Sequence, residues 1–375
     1  MEVDTHTLIE LIDAAMSADY TRVRRTGNLV AKKLLEAKDA EGAKLLQGLL
    51  RKKGMPLQAS GYAEALPRDS ASRLPLIEEG VWPTKPLFLN STAGETISRF
   101  LEDCQNVELL SSKGISTRLG LLLHGAPGTG KSMLAAQMAA HLQIPIYIVR
   151  LDSLISSRLG NTAKNIRNVF DFIPSKRAVL FLDEIDAVAK IRDDKNEMGE
   201  LKRVVNTVLQ GLDSLDDDTV VIAATNHPHL LDPAIWRRFP YKIELDVPDQ
   251  SVRTEMWSYF LFEEKIEHHG DSVLLANVSK GLSGADIENI SLSVRRRTIL
   301  DGETPSLNKI LMAVMSSRSG SPSLLEKRPL SHEDKRSLTI FLHEKCALEV
   351  TNIARIVGVS RQMVYKYLKE LNNGN

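Results

Sequence analysis

The spacing of apolar residues divides the chain into stretches of different period. Leu8, Ile9, Leu11, Ile12, Ala15 and Met16 recur at helical spacing, as do Leu45, Leu46, Leu49 and Leu50, and a third helical piece begins at Asn28. Two or three short antiparallel helices would bury these stripes, so residues 1–55 are expected to form a helical bundle. Over residues 1–60, ten bases mix with eight acids, which suits either a structural bundle or an adaptor that docks a partner. From 56 to 80, Pro56, Gly61, Pro67 and Pro75 interrupt the apolar runs. That segment reads as a linker, or as an arm lying on the next domain.

Residues 81–248 alternate strand and helix. Leu119 to His124, Ile146 to Val149, Ala178 to Leu182 and Val220 to Ala224 are short apolar runs of the kind that fill buried strands. Longer helical stretches separate them, so the expected class is α/β, a parallel sheet with helices on both faces. Residues 249–316 read as purely helical. The run from Ser316 through Ser323 is a flexible connector by composition, placing a linker at 317–330. A small helical unit, 331–375, closes the chain. No internal repeat is present.

Composition narrows the function classes. At 375 residues the chain suggests two or three domains, and 43% hydrophobic with 26% charged residues is an ordinary globular mixture. Lysine plus arginine and aspartate plus glutamate both number 48. That balance removes any argument for nucleic-acid or membrane binding by the chain as a whole, though not by one patch. Cys104 and Cys346 form no CxxC pair, against a disulfide scaffold and in favour of a reducing compartment. Acids stand near the start, where a signal peptide would carry bases. The uncharged stretch Met133 to Val149 is interrupted by two glutamines, a histidine and a proline, so it is no membrane span. The expectation is a soluble, cytoplasmic protein with no membrane partner.

The chemistry concentrates at two motifs. Gly125, Ala126, Pro127, Gly128, Thr129, Gly130, Lys131 and Ser132 fit GxxxxGK[ST], after a strand and at the opening of a helix. Glycines let backbone amides wrap phosphate oxygens, and the helix N-terminus adds positive potential. Lys131 would reach the β- and γ-phosphates of ATP, and the Ser132 hydroxyl would ligate Mg2+; Met133 completes the expected nucleotide contacts. A glycine-rich turn without a ligand is the bland alternative. Some fifty residues on, the strand Ala178 to Leu182 ends in Asp183 and Glu184. Asp183 can hold magnesium directly or through water, while Glu184 can polarise the water that attacks the γ-phosphate. Acids at a strand end are common surface punctuation, but coupled to the phosphate loop they point to hydrolysis. Nothing marks an acceptor site of the kind a kinase needs.

Taken together, these motifs resemble those of an AAA+ ATPase, specifically the AAA family that includes katanin, spastin and the FtsH ATPase module. The resemblance covers about residues 80 to 310. Gly125 to Ser132 resembles Walker A, and Leu180 to Asp186 resembles Walker B. Ala224, Thr225 and Asn226 are similar to sensor 1, which implies that Asn226 helps place the attacking water. Asp232 to Phe239 resembles the arginine-finger segment, implying that Arg237 and Arg238 reach the nucleotide of a neighbouring subunit. Gly281 to Ile287 resembles the sensor 2 region of the helical lid, implying that Gly284 and Ala285 lie near the adenosine. A P-loop NTPase core (81–248), a lid (249–316) and a homo-hexamer are what the family implies. Arg158 stands where the family's first pore loop carries an aromatic residue, and could grip protein or nucleic acid. A second pore loop is expected within the charged run from Arg192 to Gly199, which reads equally as an ordinary solvated loop.

Val350 to Leu368 resembles a helix-turn-helix. Ile353, Ala354 and Val357 would pack against Val364 and Leu368, Gly358 would make the turn, and Ser360 would cap the second helix. Arg361, Gln362 and Lys366 fall on a face suited to a major groove, making DNA a possible partner of residues 331–371, although the same motif also serves as a plain protein-interaction module. Seven bases and five acids make residues 331–375 only mildly basic. The leading expectation is an ATP-hydrolysing ring that remodels a protein or nucleoprotein substrate. The alternatives are an ATP-gated DNA-binding regulator and a nucleotide-controlled scaffold that activates a companion effector, such as a protease in bacterial defence.

Overall fold

The computed structural model describes residues 66–69, 73–115, 118–151, 159–173, 177–187, 198–302, 306–318, 330–344 and 346–372, together with seven positions between 26 and 42. The chain divides into two compact units, Met1–Pro67 and Arg68–Asn375. In the first, the described positions 26, 27, 29–31, 34 and 42 are helical. The stripes expected at Leu8 to Met16 and Leu45 to Leu50 lie outside the described residues.

In the second unit a six-stranded sheet forms from β1 (Glu78–Gly80), β2 (Gly120–His124), β3 (Ile146–Arg150), β4 (Val179–Asp183), β5 (Val220–Thr225) and β6 (Tyr241–Glu244). The spatial order is β1-β3-β4-β5-β2-β6. Pairing is parallel throughout, except that β1 runs antiparallel to β3 at the edge. The expected α/β class is therefore observed, and β1 lies inside the segment read as an arm. Successive side chains on a strand face opposite ways. Leu121, Leu123, Phe181 and Ile222 accordingly join one cluster with Phe100 of α1 (Gly94–Gln105) and with Leu134 and Met138 of α3 (Lys131–Leu142). The intervening Leu122, Leu180, Leu182 and Ala223 are equally buried. Both faces are covered, which is why these strands read as continuous apolar runs rather than alternating ones.

α2 (Val107–Ser112) leads towards β2, while α4 (Leu159–Phe172) and α5 (Met198–Ser214) pair with each other. Their contact depends on Gly211, where a Cβ would stand 2.2 Å from the Phe170 ring. α6 (Pro233–Trp236) is a single turn, capped by Asp232, whose carboxylate accepts from Ala234 N at 2.8 Å.

The helical stretch expected to form the lid, called the lid below, comprises α7 (Gln250–Phe260), α8 (His269–Val278), α9 (Gly284–Asp301) and α10 (Leu307–Arg318). Asp249 caps α7, accepting from Val252 N at 2.9 Å, and Ser283 with Asp286 forms a reciprocal capping box at the start of α9. Three further helices follow: α11 (His332–Glu344), α12 (Val350–Val357) and α13 (Arg361–Asn372). Gly358 ends α12 at φ 70°, and Ser360 Oγ accepts from Met363 N at 3.2 Å. Ile353, Val357 and Val364 are fully buried as the spacing requires, but Tyr367 is buried more deeply than Leu368. Leu338 and Leu342 of α11 share a single hydrophobic cluster with Leu311 and Val314 of the lid. The last three helices thus extend the lid's core.

That shared core makes a measurable prediction. Leu342→Ala should cost about 2–5 kcal/mol through lost burial and the cavity left behind. Hydrogen exchange should accelerate in α10 as well as in α11 to α13; acceleration confined to the last three helices would show that the two cores are energetically separate.

Candidate active site

The phosphate-binding loop is built by close backbone approaches. β2 ends at His124, whose carbonyl accepts from Leu245 N at 2.7 Å, and Gly125 follows at φ 143°. A Cβ on Gly125 would lie 2.1 Å from the Leu245 carbonyl oxygen, so that position must be glycine. Gly128 and Gly130 also have positive φ, 76° and 95°, and Gly130 caps α3. Thr129 Oγ1 donates to Ala126 O at 2.9 Å and closes the turn. Lys131 is buried and donates to both Gly125 O and Ala126 O at 2.8 Å. Burial pulls its ammonium below the ordinary lysine range, with the Asp183 and Asp186 carboxylates opposing that shift. A cation held only by carbonyls beside a helix N-terminus is chemically matched to phosphate oxygens.

The parallel ends of β2, β4 and β5 bring the remaining residues to the same edge of the sheet. Ser132 Oγ donates to Asp183 Oδ2 at 3.3 Å. These two oxygen groups are the hard ligands that Mg2+ prefers, with phosphate and water able to complete its shell. Glu184 sits at φ 53°, a left-handed conformation that costs a residue with a Cβ about 1–2 kcal/mol. Its N–H donates to Asp183 Oδ1 at 3.0 Å, and the next residue rejoins the sheet through Ile185 N to Ala224 O at 3.0 Å. Asp183 and Glu184 both line the same cavity. Behind them Thr225 Oγ1 donates to the buried Asp186 at 2.8 Å and accepts from His227 N at 3.0 Å, bracing Asn226 between them.

A cavity of about 370 Å³ gathers Pro127 to Met133, Asp183, Glu184, Asn226, Gly284 and Ala285. Of the expected nucleotide contacts, Gly125 and Ala126 do not line it; they supply the carbonyls that hold Lys131. The lid closes directly on the loop, since Ala285 N donates to Gly128 O at 3.1 Å. Sequence reasoning missed the segment 86–90, which lines the same cavity together with Met256, Phe260 and Glu288. Phe88 packs its ring against Tyr259 and Phe260 at 5.7 and 5.6 Å, and Lys85 pairs with Glu288 of the lid. Asn90 donates to Val247 O at 3.1 Å and accepts from Asp249 N at 2.9 Å. No local motif marks these residues; only their distant partners do.

Arg237 and Arg238 do not line the cavity of their own chain. Arg237 is exposed, whereas Arg238 is engaged with Asp213 at 3.0 Å. Arg158 and residues 192–197, where pore-loop contacts are expected, lie outside the described residues. Cys104 is a free thiol, and burial pushes it up to about 12. Among the described residues no helix is long and apolar enough to cross a membrane.

The loop–lid contact predicts the effect of one methyl group. In Gly128→Ala the added Cβ would stand 2.6 Å from Ser283 Oγ and 3.0 Å from the Ala285 Cβ, on a backbone at positive φ. Lid and loop must then separate, and ATP affinity should fall by about tenfold or more, the equivalent of 1–2 kcal/mol of strain. Calorimetric titration measures this; unchanged affinity would show that the contact does not shape the pocket.

Comparison with known proteins agrees with the geometry. Residues 121–247 match the family described as "ATPase family associated with various cellular activities (AAA)". The AAA family ATPase y4kL of Sinorhizobium fredii is 34% identical over 233 residues, covering 60% of this chain and 70% of that protein. A proteasome-activating nucleotidase of Saccharolobus solfataricus is 35% identical over 215 residues, and one of Saccharolobus islandicus is 35% identical over 213. The matches cover 56% and 55% of this chain, but only 54% and 53% of those nucleotidases. With the phosphate loop, the paired acids and the lid gathered around one cavity, the chain belongs to the AAA family of ATPases.

Proposed function

We propose that this AAA ATPase works as a homo-hexameric ring that couples ATP hydrolysis to remodelling of a protein or nucleoprotein substrate in the cytoplasm. The observation that carries the reading is the convergence of Lys131, Ser132, Asp183, Glu184 and Asn226 on one cavity, with Glu184 held in a left-handed turn beside Asp183. Lys131 would exchange its two loop carbonyls for the β- and γ-phosphates. Ser132 and Asp183 would hold magnesium, which neutralises phosphate charge when bound. Glu184 would draw a proton from the attacking water, and Asn226 would orient that water. Gly284 and Ala285, against the loop, would border the adenosine.

Two further observations support assembly and substrate class. The finger segment lies away from its own cavity, as a group that acts on a neighbour must. Two of the relatives bear the name proteasome-activating nucleotidase, which favours a protein substrate here. A second reading, contact with DNA, is favoured by α13. Arg361, Gln362, Tyr365, Lys366 and Lys369 are exposed at helical spacing, and the nearby Glu370 is turned to Arg336 at 3.7 Å. This leaves a face with three cations and an exposed aromatic ring, suited to a phosphate backbone. A ring would present several copies of that face and gain avidity.

Two predictions separate these roles. Glu184→Gln should bind ATP and magnesium as the native protein does, yet release phosphate about 10²–10⁴ times more slowly, because an amide is no general base. Native-like turnover would remove Glu184 from the mechanism. For DNA, fluorescence anisotropy on genomic duplex fragments at two salt concentrations should show Lys366→Ala weakening every sequence alike, with the salt slope reduced by about one. Arg361→Ala should cost about 1–3 kcal/mol at one base position. No retention of any fragment by the assembled native protein would leave the face as a protein-docking surface.

A further inference from the structure

The two arginines of the finger segment differ in their surroundings. Arg238 donates from Nε and Nη2 to the two carboxylate oxygens of Asp213, at 3.3 and 3.0 Å, and from Nη1 to Ala234 O at 3.2 Å. All three of its nitrogens are thereby committed within its own chain. Asp213 also accepts from Arg118 Nη1 at 2.8 Å. Arg237, one residue earlier, is exposed, and its guanidinium makes no ion pair among the described residues.

The triad joins three elements that matter to the site. Arg118 stands just before β2, which delivers the phosphate loop at its other end. Asp213 lies in the last turn of α5, and Arg238 stands between α6 and β6. A carboxylate in a helix's last turn is disfavoured by the helix dipole, so only the two guanidinium groups stabilise charge there. They hold the Asp213 carboxyl below the ordinary carboxylate range, Arg238 more than Arg118. Yet the side chains of Asp213 and Arg238 remain 41% and 29% exposed, and exposed pairs contribute little to folding. A bidentate fork does, however, fix direction as well as distance.

We propose that Arg237 alone is offered to the neighbouring subunit's nucleotide, and that Arg238 is a positioning residue, locked by Asp213 and Arg118, which sets the turn from which Arg237 projects. This rests on the finger acting in trans. A reacting geometry displaced by about 1 Å can lose a hundredfold in rate, so a loosened turn is costly even with Arg237 intact.

The test uses full-length subunits, each carrying one substitution, alone and mixed with Glu184→Gln subunits, which supply native fingers beside a pocket unable to hydrolyse. Wild-type subunits mixed in the same ratio set the reference. Asp213→Asn should lower kcat about 10- to 100-fold with KM for ATP unchanged. Asp213→Glu should recover most of the rate. Arg238→Ala should resemble Asp213→Asn, and Arg237→Ala should be the most severe. In mixtures, the deficits of Asp213→Asn and Arg237→Ala relative to the reference should both shrink. A native kcat in Asp213→Asn overturns the positioning role, as does a deficit that mixing leaves intact while that of Arg237→Ala is relieved. If mixing relieves neither, action in trans fails and the proposal falls with it.

Discussion

One backbone hydrogen bond holds the architecture of the site together: Ala285 N–H to Gly128 O, 3.1 Å. It requires the lid helix α9 to meet the phosphate loop with almost nothing between them. Two glycines make that approach possible. At Gly128 a Cβ would collide with Ser283 Oγ, and at Gly284 it would stand 3.0 Å from Met256 Cε. The Ser283–Asp286 capping box fixes the end of α9 at that point, so the positive end of the helix dipole borders the cavity.

From there the consequences spread through packing. The lid's core continues through Leu311 and Val314 into Leu338, Leu342, Ile353 and Val364. A tightly packed interior transmits displacement because it cannot absorb it. The exposed face of α13 is thus carried by the element that touches the phosphate loop. Segment 85–90 bridges α3 and the lid. Gln137 donates to Lys85 O at 3.1 Å, Lys85 pairs with Glu288, and Phe88 packs on two lid aromatics. Of the pieces of chain that line the cavity, segment 86–90 is one that carries no recognisable motif.

Electrostatics divides labour in the same economical way. Lys131 is buried beside Asp183 and Asp186 and bonded to loop carbonyls, at the start of a helix whose N-terminus favours phosphate oxygens. Arg238 is satisfied by Asp213 and by the carbonyl of Ala234, whereas Arg237 is exposed. Adjacent residues of one type can hold different tasks because neighbouring side chains at a helix end leave the backbone in different directions.

The sheet and the phosphate loop were legible in the sequence because both are encoded locally. Four apolar runs coincide with β2 to β5 within about a residue, since strands buried on both faces need continuous hydrophobic stretches. The glycines of the loop, the acids after β4 and the turn at Gly358 stand out for the same reason, as each is a conformational or chemical requirement met within a few positions. The deep burial of Tyr367 instead of Leu368, the edge strand β1 and the pocket-lining segment around Phe88 were not legible. Nor was the unequal setting of Arg237 and Arg238. By itself, then, the sequence determined the fold class, the nucleotide-binding loop and the set of chemically competent residues. Tertiary structure alone decided which of them share a cavity, what else encloses it and which arginine stays exposed. Those outcomes depend on pairings such as Lys85 with Glu288, 203 positions apart, and Arg238 with Asp213, 25 apart. Local spacing carries no information about partners that only the folded chain brings within hydrogen-bonding distance.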